Sequence, residues 1–112
     1  EDHIAPWKSA YVASQTYAGP VRFVLAASGH IAGVVNPPAA GKYSHWTNNR
    51  RPKNPDAWLK GAEEHPGSWW PDWDKWAKKQ AGMKEVPARH PGDGKLKAIE
   101  PAPGSYVLMK SD

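Results

Sequence analysis

Asp2 and His30 are the two side chains whose types, order and settings could carry acid–base chemistry together. His30 lies in a glycine-flanked apolar turn, Ser28-Gly29-His30-Ile31-Ala32-Gly33, directly after the strand-like run Val21 to Ala26. A histidine so placed can take a proton from a serine or cysteine and hand it to a leaving group. A carboxylate on its other nitrogen fixes the tautomer and stabilises the imidazolium. In hydrolase-like sheets the acid follows one strand and the histidine a later one, both after the nucleophile in chain order, and Asp2 and His30 keep that order. The nucleophile has no counterpart, because the sequence has no cysteine and no Gly-x-Ser-x-Gly elbow. The pair reads as two thirds of a triad. A purely structural histidine in a glycine-rich loop is the competing reading.

The elements that must position this pair are legible around it. Trp7, Ala10, Tyr11, Ser14 and Tyr17 mark a helical stripe over Pro6 to Ala18, ended by Gly19-Pro20. Val21 to Ala26 is short, β-branched and aromatic, and predicts a buried strand. One helix followed by one strand brings two side chains to the same edge of an open parallel sheet, with Gly29 providing the sharp exit. Asn36 to Gly41 breaks regular structure, and the chain is expected to be irregular through Lys53. Asn54 caps a second helix that opens with Pro55 and Asp56 and carries Trp58, Leu59 and Ala62 on its apolar side. A third helix begins near Pro71, with Asp72 and Asp74 in its first turn, Lys78 and Lys79 in its last, and Gly82 as its stop. Trp69, Trp70, Trp73 and Trp76 give it an aromatic edge. From Glu85 onward the chain reads as proline-punctuated coil, with an edge strand over Tyr106 to Met109.

Composition narrows the function classes. Twelve prolines and ten glycines in 112 residues leave few uninterrupted elements, so an independent core is modest. Seven tryptophans and four tyrosines argue against disorder and require burial, in part against something outside this sequence. The net charge is +4, but the basic residues are spread, with Arg50-Arg51 and Lys78-Lys79 as the only doublets. That pattern fits a solvated face better than a nucleic-acid stripe. Rings recurring along one side of a capped helix predict a packing surface rather than a platform for sugars or bases. His3 could be mistaken for the base, or for a metal ligand with His30 or His45, but without His-x-x-x-His or His-x-His spacing no metal site is expected. His65 and His90 precede prolines and are expected in surface loops or turns. No apolar run approaches the roughly 20 residues of a membrane span. Glu1-Asp2-His3 does not resemble an export signal. A start so close to an acid that a strand should deliver suggests the trailing part of a longer protein.

These residues are similar to the carboxyl-terminal end of the class I polyhydroxyalkanoate synthases, which polymerise 3-hydroxyacyl-CoA thioesters. The resemblance covers essentially the whole chain. It is strongest over Glu1 to Trp7, Phe23 to Pro38, Ser44 to Asn48, Glu64 to Trp73 and Ile99 to Val107. It implies an α/β-hydrolase-like fold of which residues 1–40 would be the last helix–strand unit and residues 41–112 a tryptophan- and proline-rich extension, helical and coil, packed on it. It implies a Cys-His-Asp triad with His30 as the histidine, Asp2 as the aspartate that either orients His30 or helps activate the hydroxyl extending the polymer, and His3 at most accessory beside them. No separate cofactor is implied, CoA being part of the substrate. The implied partners are the cysteine-bearing amino-terminal part of the same synthase, the thioester substrate with its growing polyester, and a second copy in a homodimer. The implied setting is cytoplasmic, at the polymer granule surface. Without the cysteine, this chain alone is expected to be inactive. A noncatalytic aromatic docking module is the alternative.

Overall fold

The computed structural model describes residues 2–82 and 84–110, which divide into two units between Gly82 and Met83. In the first, helix α1 (Trp7–Ser14) leads to strand β1 (Val24–Ala26), a 3₁₀ turn (Pro38–Ala40), β2 (Ser44–Thr47), helix α2 (Pro55–Lys60), β3 (Glu63–Pro66) and helix α3 (Trp70–Gln80). The strands form one sheet in the order β1-β2-β3, both pairs antiparallel. The expected neighbourhood of β1 is thereby corrected. Its partner here comes from the following chain and runs the other way, so β1 is not the last strand and the region after residue 40 is not only helix and coil. The break between units falls after Gly82, and within the first unit β2 is bonded to β1 on one side and to β3 on the other.

The two unexpected strands have an unusual inner face. On β2 the buried side chains are His45 and Thr47, whereas Ser44 and Trp46 are only partly covered. His45 lies opposite His65 of β3, their ring centroids 5.2 Å apart. Thr47 Oγ1 is 2.9 Å from His65 Nε2, and Gly67 O is 3.1 Å from His45 Nδ1. Cross-strand hydrogen bonds therefore satisfy polar groups that a hydrophobic pattern would turn outward. His65 is thus a half-buried strand residue, not the loop residue expected, while His90 does lie exposed in a turn closed by the Asp93 amide on its carbonyl.

The apolar core is a cluster of four rings. Tyr11 and Trp58 are the buried hydrophobic residues among those described. Phe23 meets Tyr11 edge-on at 4.9 Å and Trp58 edge-on at 5.1 Å, and Trp7 lies 6.1 Å from Trp58. Edge-to-face contacts at these separations suit the ring quadrupoles. The cluster ties α1 to α2 and to the residue that leads into β1. The Tyr11 hydroxyl donates to the Pro52 carbonyl, so its polar end is also satisfied. Asn54 caps α2 as expected, its Oδ1 accepting from the Asp56 and Ala57 amides, an arrangement that contributes about 1 kcal/mol.

In the second unit, Glu100 Oε1 accepts from the amide and hydroxyl of Ser105, at 2.9 and 3.1 Å. That contact starts a 3₁₀ turn over Ser105–Leu108 where an edge strand was expected. Leu96, Ile99, Leu108 and Met109 are exposed there.

Candidate active site

Asp2 sits in a turn of its own making. Its Oδ1 accepts from the amides of Ile4 and Ala5 at 2.9 and 3.0 Å, after which Pro6 opens α1. Because α1 is pinned by Trp7 and Tyr11 in the ring cluster, the carboxylate is carried on a fixed helix start. Its side chain is 13% exposed. The Ala5 amide, helped by the Ile4 amide and His30 against some desolvation, lowers its pKa to about 2.

His30 comes from the other direction. β1 ends at Ala26, and the backbone turns sharply at Ser28, whose φ of +77° is left-handed. The exit thus strains Ser28 rather than using Gly29, which was expected to provide it. The chain then closes one helical turn, with the Gly33 amide donating to Gly29 O at 2.9 Å and the Val35 amide to Ile31 O at 2.8 Å. Gly33 is the glycine this turn requires, since a β-carbon there would lie 2.8 Å from the carbonyl oxygens of Ala27 and Gly29.

These two paths bring His30 Nδ1 to 3.1 Å from the Asp2 carboxylate, across 28 residues of sequence. An ionised carboxylate only accepts, so the neutral imidazole must donate from Nδ1 and keep its lone pair on Nε2, the form a general base requires. His3 is exposed, and among the described residues no hydrogen bond joins it to either partner. No group of three histidine, aspartate or glutamate side chains able to hold a metal ion occurs among the described residues.

The pair opens on a cleft of about 470 Å³ lined also by Phe23, Leu25, Trp69, Trp73 and Trp76, with Arg22 and Asp72 on its wall. Arg22 and Asp72 form a two-pronged ion pair, Nε to Oδ2 and Nη2 to Oδ1, each 2.7 Å. Their shared hydrogen bonds, opposed by partial desolvation, lower the Asp72 pKa and raise that of Arg22. The indole nitrogens of Trp69 and Trp70 donate to the carbonyls of the His30 turn, at 3.1 Å to Gly33 O and 2.9 Å to Val34 O. The sequence marks Asp72 as a dipole complement at the helix start and gives no sign of its pairing with Arg22 or of the two indole donors. No local signal marks a contact between residues 36 to 50 positions apart. No residue of α3 is buried among those described, and Trp73 is 54% exposed, so its aromatic edge borders the cleft rather than filling the core.

The Asp2–His30 link makes a pH prediction. A folded pKa below the ordinary aspartate value of about 3.9 stabilises the pair above that value, an advantage lost as pH falls through about 2. The Asp2 carboxyl carbon is expected to show the ionised chemical shift still at pH 4, and a titration midpoint near 4 would contradict the geometry.

Comparison with known proteins gives this architecture a context. Over 111 residues the chain is 56% identical to a poly(3-hydroxyalkanoate) polymerase subunit of Cupriavidus necator and 50% identical to that of Rhizobium etli, covering 99% of this chain in each case. The chain matches the carboxyl-terminal region of poly(3-hydroxyalkanoate) polymerases. A polymerase from Methylorubrum extorquens is 51% identical over 112 residues. The chain spans 19%, 17% and 18% of the length of these three polymerases. No family model matches it. Among the described residues, no helix is long and apolar enough to cross a membrane.

Proposed function

We propose that this chain is the part of a poly(3-hydroxyalkanoate) polymerase that supplies the general base, His30, and its orienting acid, Asp2, to a cysteine carried by the preceding chain. The observation that carries the reading is the 3.1 Å bond from His30 Nδ1 to an ionised Asp2, on the wall of an aromatic cleft. His30 Nε2 takes the thiol proton, and the thiolate attacks the carbonyl carbon of a 3-hydroxyacyl-CoA. The bond from that carbon to the CoA sulfur breaks, and the imidazolium returns the proton to the departing thiolate. The acyl group then rests on the cysteine until the hydroxyl of another acyl unit gives up its proton to the Asp2–His30 pair and attacks the acyl carbon; the ester forms as the bond from that carbon to the cysteine sulfur breaks, and the proton passes to the released thiolate.

Among the described residues β1 is bonded on one side only, which leaves an edge for a strand of the preceding chain and for completion of an α/β-hydrolase-like sheet. The proposal extends to the setting, a cytoplasmic dimer at the polymer granule surface with CoA as product. A docking role for the aromatic edge is the second reading, favoured by the exposure of Trp73.

The test is CoA release from 3-hydroxybutyryl-CoA by this chain alone, by the cysteine-bearing part alone, and by their complex. Release is expected only from the complex. Release by this chain alone, or none from a complex shown to have formed, would sink the catalytic reading, and the second outcome favours docking.

A further inference from the structure

We propose that Trp69, Trp70 and Asp72 position His30: the Arg22–Asp72 ion pair fixes the start of α3, and two indole N–H groups there hold the turn that bears the imidazole. The inference rests on the reading of His30 as the base.

The start of α3 is fixed by a series of short-range constraints. β3 ends at Pro66 and Gly67 reverses the chain with φ +81°, its amide donating to Tyr43 O at 2.7 Å. Ser68 is buried, and its Oγ accepts the Trp70 amide at 3.1 Å, which satisfies a donor that a helix start leaves free. Trp69 and Trp70 therefore leave a backbone tied to β2 and β3. Their indoles reach the Gly33 and Val34 carbonyls at the end of the single helical turn after His30, where carbonyls lack partners from the turn itself.

The second tether closes the frame. Arg22 lies two residues before β1, the strand that delivers the His30 turn, and grips Asp72 through two parallel 2.7 Å bonds. The path from Arg22 through β1, the His30 turn, the indoles and the first turn of α3 returns through Asp72 to Arg22. A ring closed by hydrogen bonds at both ends holds the turn against rotation about its two flanking segments, which neither tether does alone. The ion pair keeps about a quarter of each side chain exposed, so water screens it and its paired geometry matters more than its charge. The motif Gly67-Ser68-Trp69-Trp70-Pro71-Asp72 is thus accounted for residue by residue: reversal, an acceptor for the first helical amide, two indole donors, a proline tolerated in the first turn, and an anchor.

A misplacement of about 1 Å at a reacting group can lower turnover about 100-fold, so the expected effect is on rate rather than affinity. The experiment uses a complete polymerase in which this sequence replaces the matching region of the Cupriavidus necator subunit, with rates expressed per folded enzyme. Asp72→Asn is expected to lower kcat, and the rate at which iodoacetamide alkylates the nucleophilic cysteine, by about tenfold or more, with KM within about twofold. Reversing the pair, Arg22→Asp with Asp72→Arg, is expected to recover most of that loss. In a His30→Ala background Asp72→Asn is expected to change neither rate, because its effect passes through the imidazole. An equal loss in that background, or unchanged alkylation with normal His30, overturns the inference. If Asp72→Asn fails to fold, the Trp69→Phe, Trp70→Phe double variant carries the same test, since it removes both donors and retains rings. Unchanged alkylation and turnover in His30→Ala itself overturns the reading of His30 as base, a result distinct from failure of the tether.

Discussion

Replacing His30 by alanine in the complete polymerase is expected to lower CoA release by about 10²- to 10⁴-fold, the range that a positioned general acid–base group supplies. The imidazole has two tasks in the proposed cycle, taking the thiol proton and returning it to CoA. Alanine removes both without disturbing the core, because the side chain is 44% exposed and its turn is held by backbone and indole hydrogen bonds. Cysteine alkylation is expected to fall with turnover. Asp2→Asn separates two roles for the acid. The amide oxygen can still accept from Ile4 and Ala5, but an amide nitrogen facing His30 Nδ1 forces the proton to Nε2 and removes the lone pair the thiol needs. If Asp2 orients the base, alkylation and turnover fall together. If it instead activates the incoming hydroxyl, alkylation persists while polymer growth stops. Retention of full turnover by His30→Ala would end the catalytic proposal.

The largest effect on the fold is expected from Trp58→Ala. Trp58 is 1% exposed and contacts three of the other rings in a cluster that holds α1, α2 and the lead into β1. Deleting a buried indole costs about 3–5 kcal/mol, the lost transfer energy plus the cavity left behind. With Tyr11 the only other buried hydrophobic residue among those described, few remaining contacts can absorb that loss. Hydrogen exchange in the complete polymerase is the direct measurement. Amides of β2 are expected to lose about 10²- to 4 × 10³-fold protection, following from that cost at about 1.4 kcal/mol per tenfold. Trp58→Phe, which keeps an aromatic ring for Phe23 to meet, is expected to lose much less. Unchanged protection in Trp58→Ala would show that the cluster is not what holds this unit together.

The parts of this molecule written in local chemistry could be read from it. Asn54, Pro55 and Asp56 announce α2 because a cap, a first-turn proline and an acid at the positive dipole end act within four residues. The turn around His30 was equally plain, though the strained residue at its entrance is Ser28 and not the glycine beside it. β2 was invisible for a physical reason: its inward residues are histidine and threonine, satisfied across the sheet, so the polar face is the buried one. β3, Glu-Glu-His-Pro, offers even less, being polar throughout and ending in a residue that cannot extend a central ladder. At the site, Asp2 and His30 could be nominated from order and setting. Arg22 could not, because an ion pair spanning 50 residues is a property of the assembled chain.

The positions of these distant partners also bear on synthesis. A nascent chain released as far as Val35 already contains Asp2 and His30, yet each indole that binds the His30 turn lies 36 residues beyond the carbonyl it meets, and the carboxylate that grips Arg22 lies 50 residues beyond its partner. The ribosome must therefore deliver Trp69 through Asp72 before these restraints can form. A product truncated between Val35 and Trp69 would carry both members of the acid–base pair without either downstream restraint, so synthesis through Asp72 and ordering of the turn are coupled by the chain's own direction.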